Sequence, residues 1–208
     1  MAGDAGNSES AVEVVTQSYA ITGRCSGLTE QIRLIDLLNN PEITHLQLGG
    51  VRVRELIGSQ DIVTSEGPFF IDKEFIVFGR SLESAEAEEK RRQTHRVDYV
   101  EKARHQMLVF ARPFRIRGTV YLFKGTDFSV ALPRLFEGFL AMTETKVDHE
   151  GNAALAWESK FIVVNGRRIE MVCPAPSESG DECRADPGQA GSDEERNPEE
   201  LSQPLGMR

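Results

Sequence analysis

The sequence predicts a mainly β fold with short helices, arranged as two tandem small five-stranded, partly open barrels joined by a charged helix. Three observations lead to this fold class. Apolar and polar residues alternate with a period near two along several segments, which is typical of half-buried strands. Similar blocks recur roughly 95 residues apart in the same order. The stretch between the two copies is instead rich in Glu, Ala, Lys and Arg, which favours a helix.

Length and composition set the expected domain organisation. The chain has 208 residues, of which 39% are hydrophobic and 27% charged, so it can bury a sizeable core. Both ends are poor in β-branched and aromatic residues, and burial there cannot offset the loss of chain entropy. We therefore expect disordered ends over 1–11 and 174–208, a first copy over 12–82, a charged helical connector over 83–105 and a second copy over 106–173.

Four pairs of matched blocks indicate the internal repeat. Their separations are 95, 98, 94 and 86 residues, which requires short insertions between blocks. Four blocks in one order, including an identical Phe-Ile-Val, predict a duplicated unit. The pairs are VEVVTQSYAITG (12–23) with MLVFARPFRIRG (107–118), LIDLLN (34–39) with LPRLFE (132–137), LQLGGVRV (46–53) with LAMTETKV (140–147), and FIV (75–77) with FIV (161–163).

Cap residues bound the first predicted helix. LIDLLN has helical apolar spacing, Thr29 can cap its start, and Asn40 before Pro41 ends it because the residue before a proline is disfavoured in the α region. Asp36 lies too far inside this helix to be a cap residue and is expected on its solvent-exposed face. The second copy keeps a shorter helix.

Three dipeptides that contain glycine predict turns. Asn165-Gly166 predicts a tight turn because both residues accept positive φ, and the last strand is expected over 169–172. Gly49-Gly50 and Gly67-Pro68 are also expected to be turns. They lack the Lys and the Ser or Thr that a phosphate-binding loop requires.

Charge and cysteine usage narrow the classes of function. The net charge is −9, and the nine acidic and three basic residues from Pro174 onwards leave only −3 for the rest. This balance argues against non-specific nucleic-acid binding by the whole chain. The start lacks the features of a secretory signal and no run reaches the length of a membrane span, so we expect a bacterial cytoplasmic protein. Cys25, Cys173 and Cys183 form no disulfide or metal-ligand pattern.

One basic cluster could hold phosphate, RNA or an acidic partner. A solvated connector balanced by neighbouring glutamates is the simpler interpretation. The cluster is Lys90, Arg91, Arg92, His95 and Arg96.

No catalytic residue can be assigned from the other polar side chains. His45, His95, His105 and His149 show no metal-ligand spacing, which favours structural or surface roles. Asp36 and Asp127 could be a carboxylate pair related by the repeat, but helix-end or surface roles are simpler. No GxSxG elbow is present. We therefore predict a non-enzymatic protein with no catalytic, cofactor-binding or metal residues and no cofactor.

Two resemblances to known families accompany these patterns. The order Ile-x-Gly, Leu-x-x-Leu-Leu-Asn, Leu-x-Leu and Phe-Ile-Val resembles a prokaryotic domain-of-unknown-function family, which implies no activity. FIVVNGRRIEMV (161–172) and FRIRGTVYL (114–122) are similar to the strand pairs of Sm-like and SH3-like small barrels. The Asp-x-apolar-Asn element of Sm-type RNA pockets has no match in the second copy, so this resemblance implies a fold and no function.

Three functions stay open at this point. The leading hypothesis is a non-enzymatic protein-interaction or regulatory adaptor, with another protein or a second copy docking on exposed strand edges. The alternative is binding of RNA or single-stranded nucleic acid through a barrel face. The third is a small-molecule-binding enzyme with its site between the two copies.

Overall fold

The computed structural model describes residues 10–29, 32–58, 60–82, 101–125, 130–131, 133 and 136–175. These residues are mainly β, as predicted, with one short helix and two 3₁₀ turns at Lys73–Phe75 and Gly166–Arg168. In chain order the elements are β1 (Ser10–Val15), β2 (Tyr19–Cys25), α1 (Leu34–Asn39), β3 (His45–Glu55), β4 (Asp61–Ser65), β5 (Phe69–Asp72), β6 (Phe78–Ser81), β7 (Lys102–Ala111), β8 (Phe114–Phe123), β9 (Phe139–His149), β10 (Asn152–Asn165) and β11 (Met171–Pro174).

One antiparallel sheet runs through the whole described part. Its order is β11-β7-β8-β9-β10-β6-β1-β2-β3-β4, with β5 paired to β3. The first half (10–82) contributes β1 to β6, and the second half (101–175) contributes β7 to β11. The halves meet where Val163 lies opposite Gly79 and Val164 lies opposite Phe78. The sheet is not a closed barrel, and in place of two separate barrels the structure has one sheet that continues across this junction.

Both halves have the same strand order and register. Within each, the last strand returns beside the first, so β6 pairs with β1 and β11 pairs with β7. The pair Val12 and Gly23 in β1–β2 corresponds to the pair Met107 and Gly118 in β7–β8, as the first matched block predicts. Every β1–β2 pair has its counterpart 95 residues later.

A bulge recurs at the same place in each half. The β2–β3 register shifts after Thr22, and the β8–β9 register shifts after Arg117. The strand residue at each bulge has positive φ, 56° at Gly50 and 52° at Glu144. The prediction of a turn at Gly49-Gly50 is therefore wrong. The glycines lie inside β3, where the bulge and not a chain reversal uses the left-handed conformation.

The match between the two FIV blocks is also wrong. Phe75 ends the first 3₁₀ turn, whereas Phe161 lies inside β10. The structurally equivalent residues are 93 apart, because Ile76 and Ile169 each follow a 3₁₀ turn and bond back to its first residue. A three-residue apolar block is too short to fix an alignment between strands that share a small alphabet.

Asn165-Gly166 does not form a hairpin between β10 and β11. Asn165 caps the second 3₁₀ turn by accepting a hydrogen bond from the Arg167 amide at 3.1 Å. β11 then pairs with β7. Asp72 caps the first 3₁₀ turn in the same way, accepting from the Glu74 amide at 2.8 Å. Short side chains that cap a turn favour 3₁₀ geometry as readily as a hairpin turn.

The start of α1 differs from the prediction. Thr29 caps only the preceding turn, where its hydroxyl accepts from the Ile32 amide at 3.2 Å. Arg33 is the N-cap residue, and Asp36 accepts from the Arg33 backbone amide at 3.3 Å and from its guanidinium at 2.8 and 2.9 Å. Asp36 is thus in the first turn, where an acid interacts favourably with the helix dipole.

Three predicted boundaries shift. β1 begins at Ser10, inside the segment 1–11, and β7 begins at Lys102, inside the connector 83–105. The last strand spans Met171–Pro174 and not 169–172, because the second 3₁₀ turn precedes it. The rest of the connector and the tail from residue 176 lie outside the described residues, as do three of the six residues of the LPRLFE block. No helix in the described part is long and apolar enough to cross a membrane.

Two hydrophobic cores lie on opposite faces of the sheet. The first core contains Val14 from β1 and Val163 from β10, and the second core contains the adjacent residues Val15 and Val164. Successive side chains of a strand point to opposite faces, so β1 and β10 are buried on both sides at the junction. First-half residues also enter the second core, where the ring of Phe78 meets those of Phe114 at 5.3 Å and Trp157 at 5.5 Å, both edge to face.

Gly118 tests the close packing at the second bulge. A Cβ added there would lie 2.6 Å from Thr145 Cγ2 and 3.1 Å from the Thr143 carbonyl oxygen. We expect Gly118→Ala to lower the free energy of unfolding by roughly 1 to 3 kcal/mol through overpacking. Gly49→Ala is the control, since nothing lies within 4 Å of the added Cβ. Urea denaturation of both variants measures the effect, and equal stabilities would contradict this description of the bulge.

Candidate functional site at the unpaired strand edges

Three strands of the described part pair on one side only, namely β4, β5 and β11. Apolar side chains are exposed on all three, Ile62 and Val63 on β4, Phe70 on β5 and Met171 on β11. An unpaired strand with exposed apolar residues is a template for pairing with another strand. We call β4 and β5 together the first-half edge.

The first-half edge corresponds to one strand of the second half. β10 runs without a break for 14 residues beside β9. In the first half the same course is divided into β4 and β5 by a bend at Glu66 and Gly67, before Pro68. The chain does not reverse there, because β4 and β5 both pair with β3 in the same direction, so the turn predicted at Gly67-Pro68 is not found. A proline has no amide proton for the ladder, so strand pairing is interrupted there.

Equivalent positions differ sharply in exposure. The register of β5 on β3 matches that of the end of β10 on β9, so Phe70 occupies the position of Val163. Val63, opposite Val53, likewise occupies the position of Trp157, opposite Val147. Val163 is 0% exposed because it packs in the first core, whereas Phe70 is 61% exposed. β6 of the first half pairs with Val163 and Val164 near the end of β10, and among the described residues no strand pairs with the free side of the first-half edge.

Asn165 adds hydrogen bonds between the end of β10 and the first half. Its backbone amide donates to the Val77 carbonyl at 2.8 Å. Its buried side-chain amide donates to the carbonyls of Ile76 at 2.9 Å and Lys73 at 3.2 Å. The 3₁₀ turn of the first half is therefore bonded directly to the end of β10. At the equivalent position of the first half stands Asp72, which has no side-chain donor when ionised.

A cleft of about 700 Å³ lies beside this junction and is lined by both halves, through residues including His45, Asp72, Lys73, Glu137 and Arg167. Oppositely charged groups lie near one another in it. His45 Nε2 is 4.0 Å from Asp72 Oδ2, and Arg167 Nη1 is 3.8 Å from Glu74 Oε1. Neither of the two buried unsatisfied side-chain atoms in the described part lines this cleft.

Lys73 closes the end of α1 at the cleft wall. Its ammonium donates to the carbonyls of Leu38 at 2.9 Å and Asn40 at 2.7 Å, which have no partner within the helix. Burial lowers the pKa of Lys73, and the positive charge of Arg167 lowers it further, while Asp72 opposes the shift. The hydrogen bonds to the helix end give Lys73 a structural role in the wall.

The described histidines and cysteines do not come together in a site. His149 is buried against Phe114, with its ring centroid at 5.3 Å, and its Nδ1 accepts from the Gly151 amide at 3.1 Å. His45 lies in the cleft, and His105 lies in β7. Within the described residues no group of three His, Cys, Asp or Glu side chains could hold a metal ion. Cys25 is buried and Cys173 is half-buried.

Several sequence candidates cannot be placed. The basic cluster Lys90, Arg91, Arg92, His95 and Arg96 lies outside the described residues, and so do Asp127 and Cys183. Asp36, proposed as the partner of Asp127, is bonded to Arg33 at the start of α1. Sequence reasoning missed Phe70 and Asn165. Aligning FFIDKEFIVF with FIVVNGRRIEMV at a separation of 93 residues would have related Phe70 to Val163 and Asp72 to Asn165.

A second exposed surface lies on the β7–β8 ribbon, defined by Lys102, Arg104, Tyr121 and Phe123. Phe123 is 59% exposed and Tyr121 is 41% exposed. Each aromatic ring is opposite a cation, with Lys102 Nζ 5.9 Å from the Phe123 centroid and Arg104 Cζ 5.9 Å from the Tyr121 centroid. Glu144 Oε2 lies 2.7 Å from Arg104 Nη2, which reduces the positive charge of this surface.

Replacing the Asn165 side-chain amide by a carboxylate of nearly the same shape tests its role at the junction. We expect Asn165→Asp to lower the free energy of unfolding by roughly 2 to 3 kcal/mol, because the carboxylate would face two buried carbonyls without donating to them. Asp72→Asn is the matched control at the exposed equivalent position, where both side chains can cap the turn, and we expect a change within about 0.5 kcal/mol. Urea denaturation measures both. Similar effects of the two substitutions would show that the Asn165 amide does not hold the halves together.

No family model, curated protein or solved structure matches this chain in the three comparisons with known proteins.

Proposed function

We propose that the chain is a non-enzymatic protein-interaction module whose first-half edge takes up an extended strand from another polypeptide. The observation that supports this function most directly is the contrast between Phe70 and Val163. The same position of the same strand register is buried in the first core in one half and exposed with a larger apolar side chain in the other. A docked strand would pair with β5 as β6 pairs with the end of β10, and its side chains would lie beside Phe70.

The backbone of β5 suits strand addition. The Lys73 amide donates to the Thr44 carbonyl of the residue before β3, so the alternate amides of Phe70 and Asp72 point away from β3. Main-chain hydrogen bonds to an added strand would supply affinity, and Phe70 and Val63 would contact its side chains. Full burial of the Phe70 side chain contributes roughly 1.5 to 3 kcal/mol.

The proposal also treats each half as a small barrel that is open on one side. Each half is a five-stranded unit whose last strand lies beside its first, the arrangement expected of a small barrel opened between its fourth and last strands. In the second half the opened edge of β10 is filled by β6 of the first half. The corresponding opening of the first half is the proposed docking edge. Cytoplasmic location and a partner-reaching role of the tail remain predictions of the sequence.

Substitution of Phe70 tests the docking edge. We expect peptides selected from a displayed random library to bind the wild-type protein in extended form, with Phe70→Pro weakening binding at least about tenfold because it removes an outward amide and the aromatic ring. Phe70→Ser should weaken binding less. Phe123→Ser is the control, since Phe123 is almost equally exposed on a different strand. Fluorescence polarisation with the selected peptides measures affinity, and equal binding by all variants would refute the proposal.

Binding of single-stranded nucleic acid is the second candidate, and the β7–β8 ribbon favours it. Exposed aromatic rings can stack on bases while neighbouring cations contact phosphates. The ribbon presents two such rings, each opposite a cation. The net charge of −9 and the contact of Arg104 with Glu144 oppose this function, so we rank it below strand docking.

A separate experiment tests nucleic-acid binding by the β7–β8 ribbon. If the ribbon binds RNA, Tyr121→Ala together with Phe123→Ala should weaken binding of a fluorescent single-stranded oligonucleotide by roughly tenfold or more, because each stacked base contributes about 1 to 3 kcal/mol. Binding should also fall as salt is raised. Phe70→Ser serves here as the control. No measurable binding by the wild type at low salt would exclude this second candidate.

A further inference from the structure

We propose that the strand that docks on β5 is β11 of a second copy of this chain, so that the protein associates head to tail. This inference rests on the proposed function and names its partner. The chain already contains the contact once, since the end of β10 pairs with β6 at the internal junction. β5 is the equivalent of the end of β10, and β11 is the equivalent of β6.

The strands β6 and β11 are equivalent in register. Phe78 lies opposite Val15, and Met171 lies opposite Phe110, at matching positions of the two halves. The next residue beyond each strand also matches, because Leu82 donates to Ala11 and Ala175 donates to Gln106 through backbone amides at 2.8 and 2.9 Å. The residue after β11 therefore continues the pairing with β7, as the residue after β6 continues the pairing with β1.

Transferring the internal register gives the intermolecular pairs. Val163 opposite Gly79 becomes Phe70 of one copy opposite Val172 of the other. Val164 opposite Phe78 becomes Ile71 opposite Met171. The two edges are antiparallel in this arrangement, as all strand pairs of the sheet are.

Both edges expose apolar side chains at these positions. Phe70 is 61% exposed where its equivalent Val163 is 0% exposed. Met171 is 55% exposed where its equivalent Phe78 is 0% exposed. Pairing β5 with β11 would place Phe70 beside Val172 and Met171 beside Ile71, which would cover part of each exposed side chain and add hydrophobic stabilisation to the backbone hydrogen bonds. This double match favours a second copy over an unrelated partner.

Substitutions around the edges make the association weaker than the internal junction. Asp72 replaces Asn165, so the two side-chain amide hydrogen bonds have no counterpart. Three of the five first-half residues that enter the second core have charged counterparts, since Ala20, Leu56 and Val77 correspond to Arg115, Glu150 and Glu170. The other two, Val15 and Phe78, lie on the paired strands and correspond to Phe110 and Met171. The contact is thereby limited to the strand pair itself. A reversible, concentration-dependent assembly follows from this limited area.

The two edges are different surfaces, so each copy keeps one free after pairing. Such heterologous contacts produce closed rings or open chains, in contrast to a two-fold dimer. This distinction makes the proposal testable by complementation.

The experiment uses two full-length variants, each with one edge blocked. Phe70→Pro removes an outward amide of β5 and leaves β11 intact, whereas Met171→Asp places a charge on β11 and leaves β5 intact. We expect wild type to associate beyond a dimer as concentration rises in sedimentation velocity, and each variant alone to stay monomeric. An equimolar mixture should form a dimer and nothing larger, because only one productive pair of edges remains. A dimer in the mixture also shows that both variants are folded.

Asp72→Asn tests the same contact in the opposite direction. It restores the side-chain amide of the internal junction, so we expect self-association about tenfold tighter than wild type, because the Asn amide can donate to backbone carbonyls of the second copy and the Asp carboxylate cannot. Asp61→Asn, on β4, is the control for the loss of one acidic charge and should leave the association constant unchanged. Equal strengthening by both substitutions would attribute the effect to charge alone and would overturn the assigned register.

The outcomes separate this inference from the proposed function. A wild type and Asp72→Asn variant that stay monomeric at millimolar concentration overturn the self-association proposal. A dimer that stops at two copies and that Met171→Asp does not weaken overturns it in favour of a symmetric contact. If Phe70→Pro abolishes binding of selected peptides without changing self-association, the docking edge stands and the second copy is the wrong partner. If it changes neither, both proposals fail.

Discussion

The pairing of β10 with β6 is the contact on which the rest of the structure depends. It joins β1 to β6 of the first half and β7 to β11 of the second half into one sheet. It also buries both faces of the strands around it, with Val14 and Val163 in the first core and Val15 and Val164 in the second. A strand buried on both faces cannot slip by one residue without exchanging the contents of two cores. The register at the junction therefore sets the positions of both halves.

The two halves share a backbone plan but differ in the side chains that line their edges. At the covered edge Asn165 donates two buried hydrogen bonds, and at the open edge Asp72 offers none. At the covered edge the second core receives Ala20, Leu56 and Val77, and the outer surface of the second half has charged residues at those positions. The proposed pairing of β5 with β11 of a second copy would share the register of the internal junction. It would be weaker because the side chains at the two edges differ while the backbone arrangement does not.

Local patterns predicted much of the fold and little of the candidate site. The alternation in Val12–Gly23 and Met107–Gly118 predicted strands, and their matched blocks predicted the 95-residue correspondence that the two strand pairs show. The FIV blocks were misaligned because short apolar runs carry no such phase information. Asn165-Gly166 was predicted as a tight turn with positive φ, but the same residue types also cap 3₁₀ turns, and only the tertiary structure distinguishes the two.

The sequence by itself determined the mainly β class, the repeated strands of the first and third matched blocks, and the acidic character of the tail, because these depend on residues close together in the chain. Only the tertiary structure decided which edge each strand presents to which neighbour. Phe70 and Val163 are both apolar strand residues in the sequence, and nothing local marks one as exposed. Their difference arises because Val163 packs in the first core with first-half residues that are distant in the chain, whereas Phe70 is left exposed by the described residues.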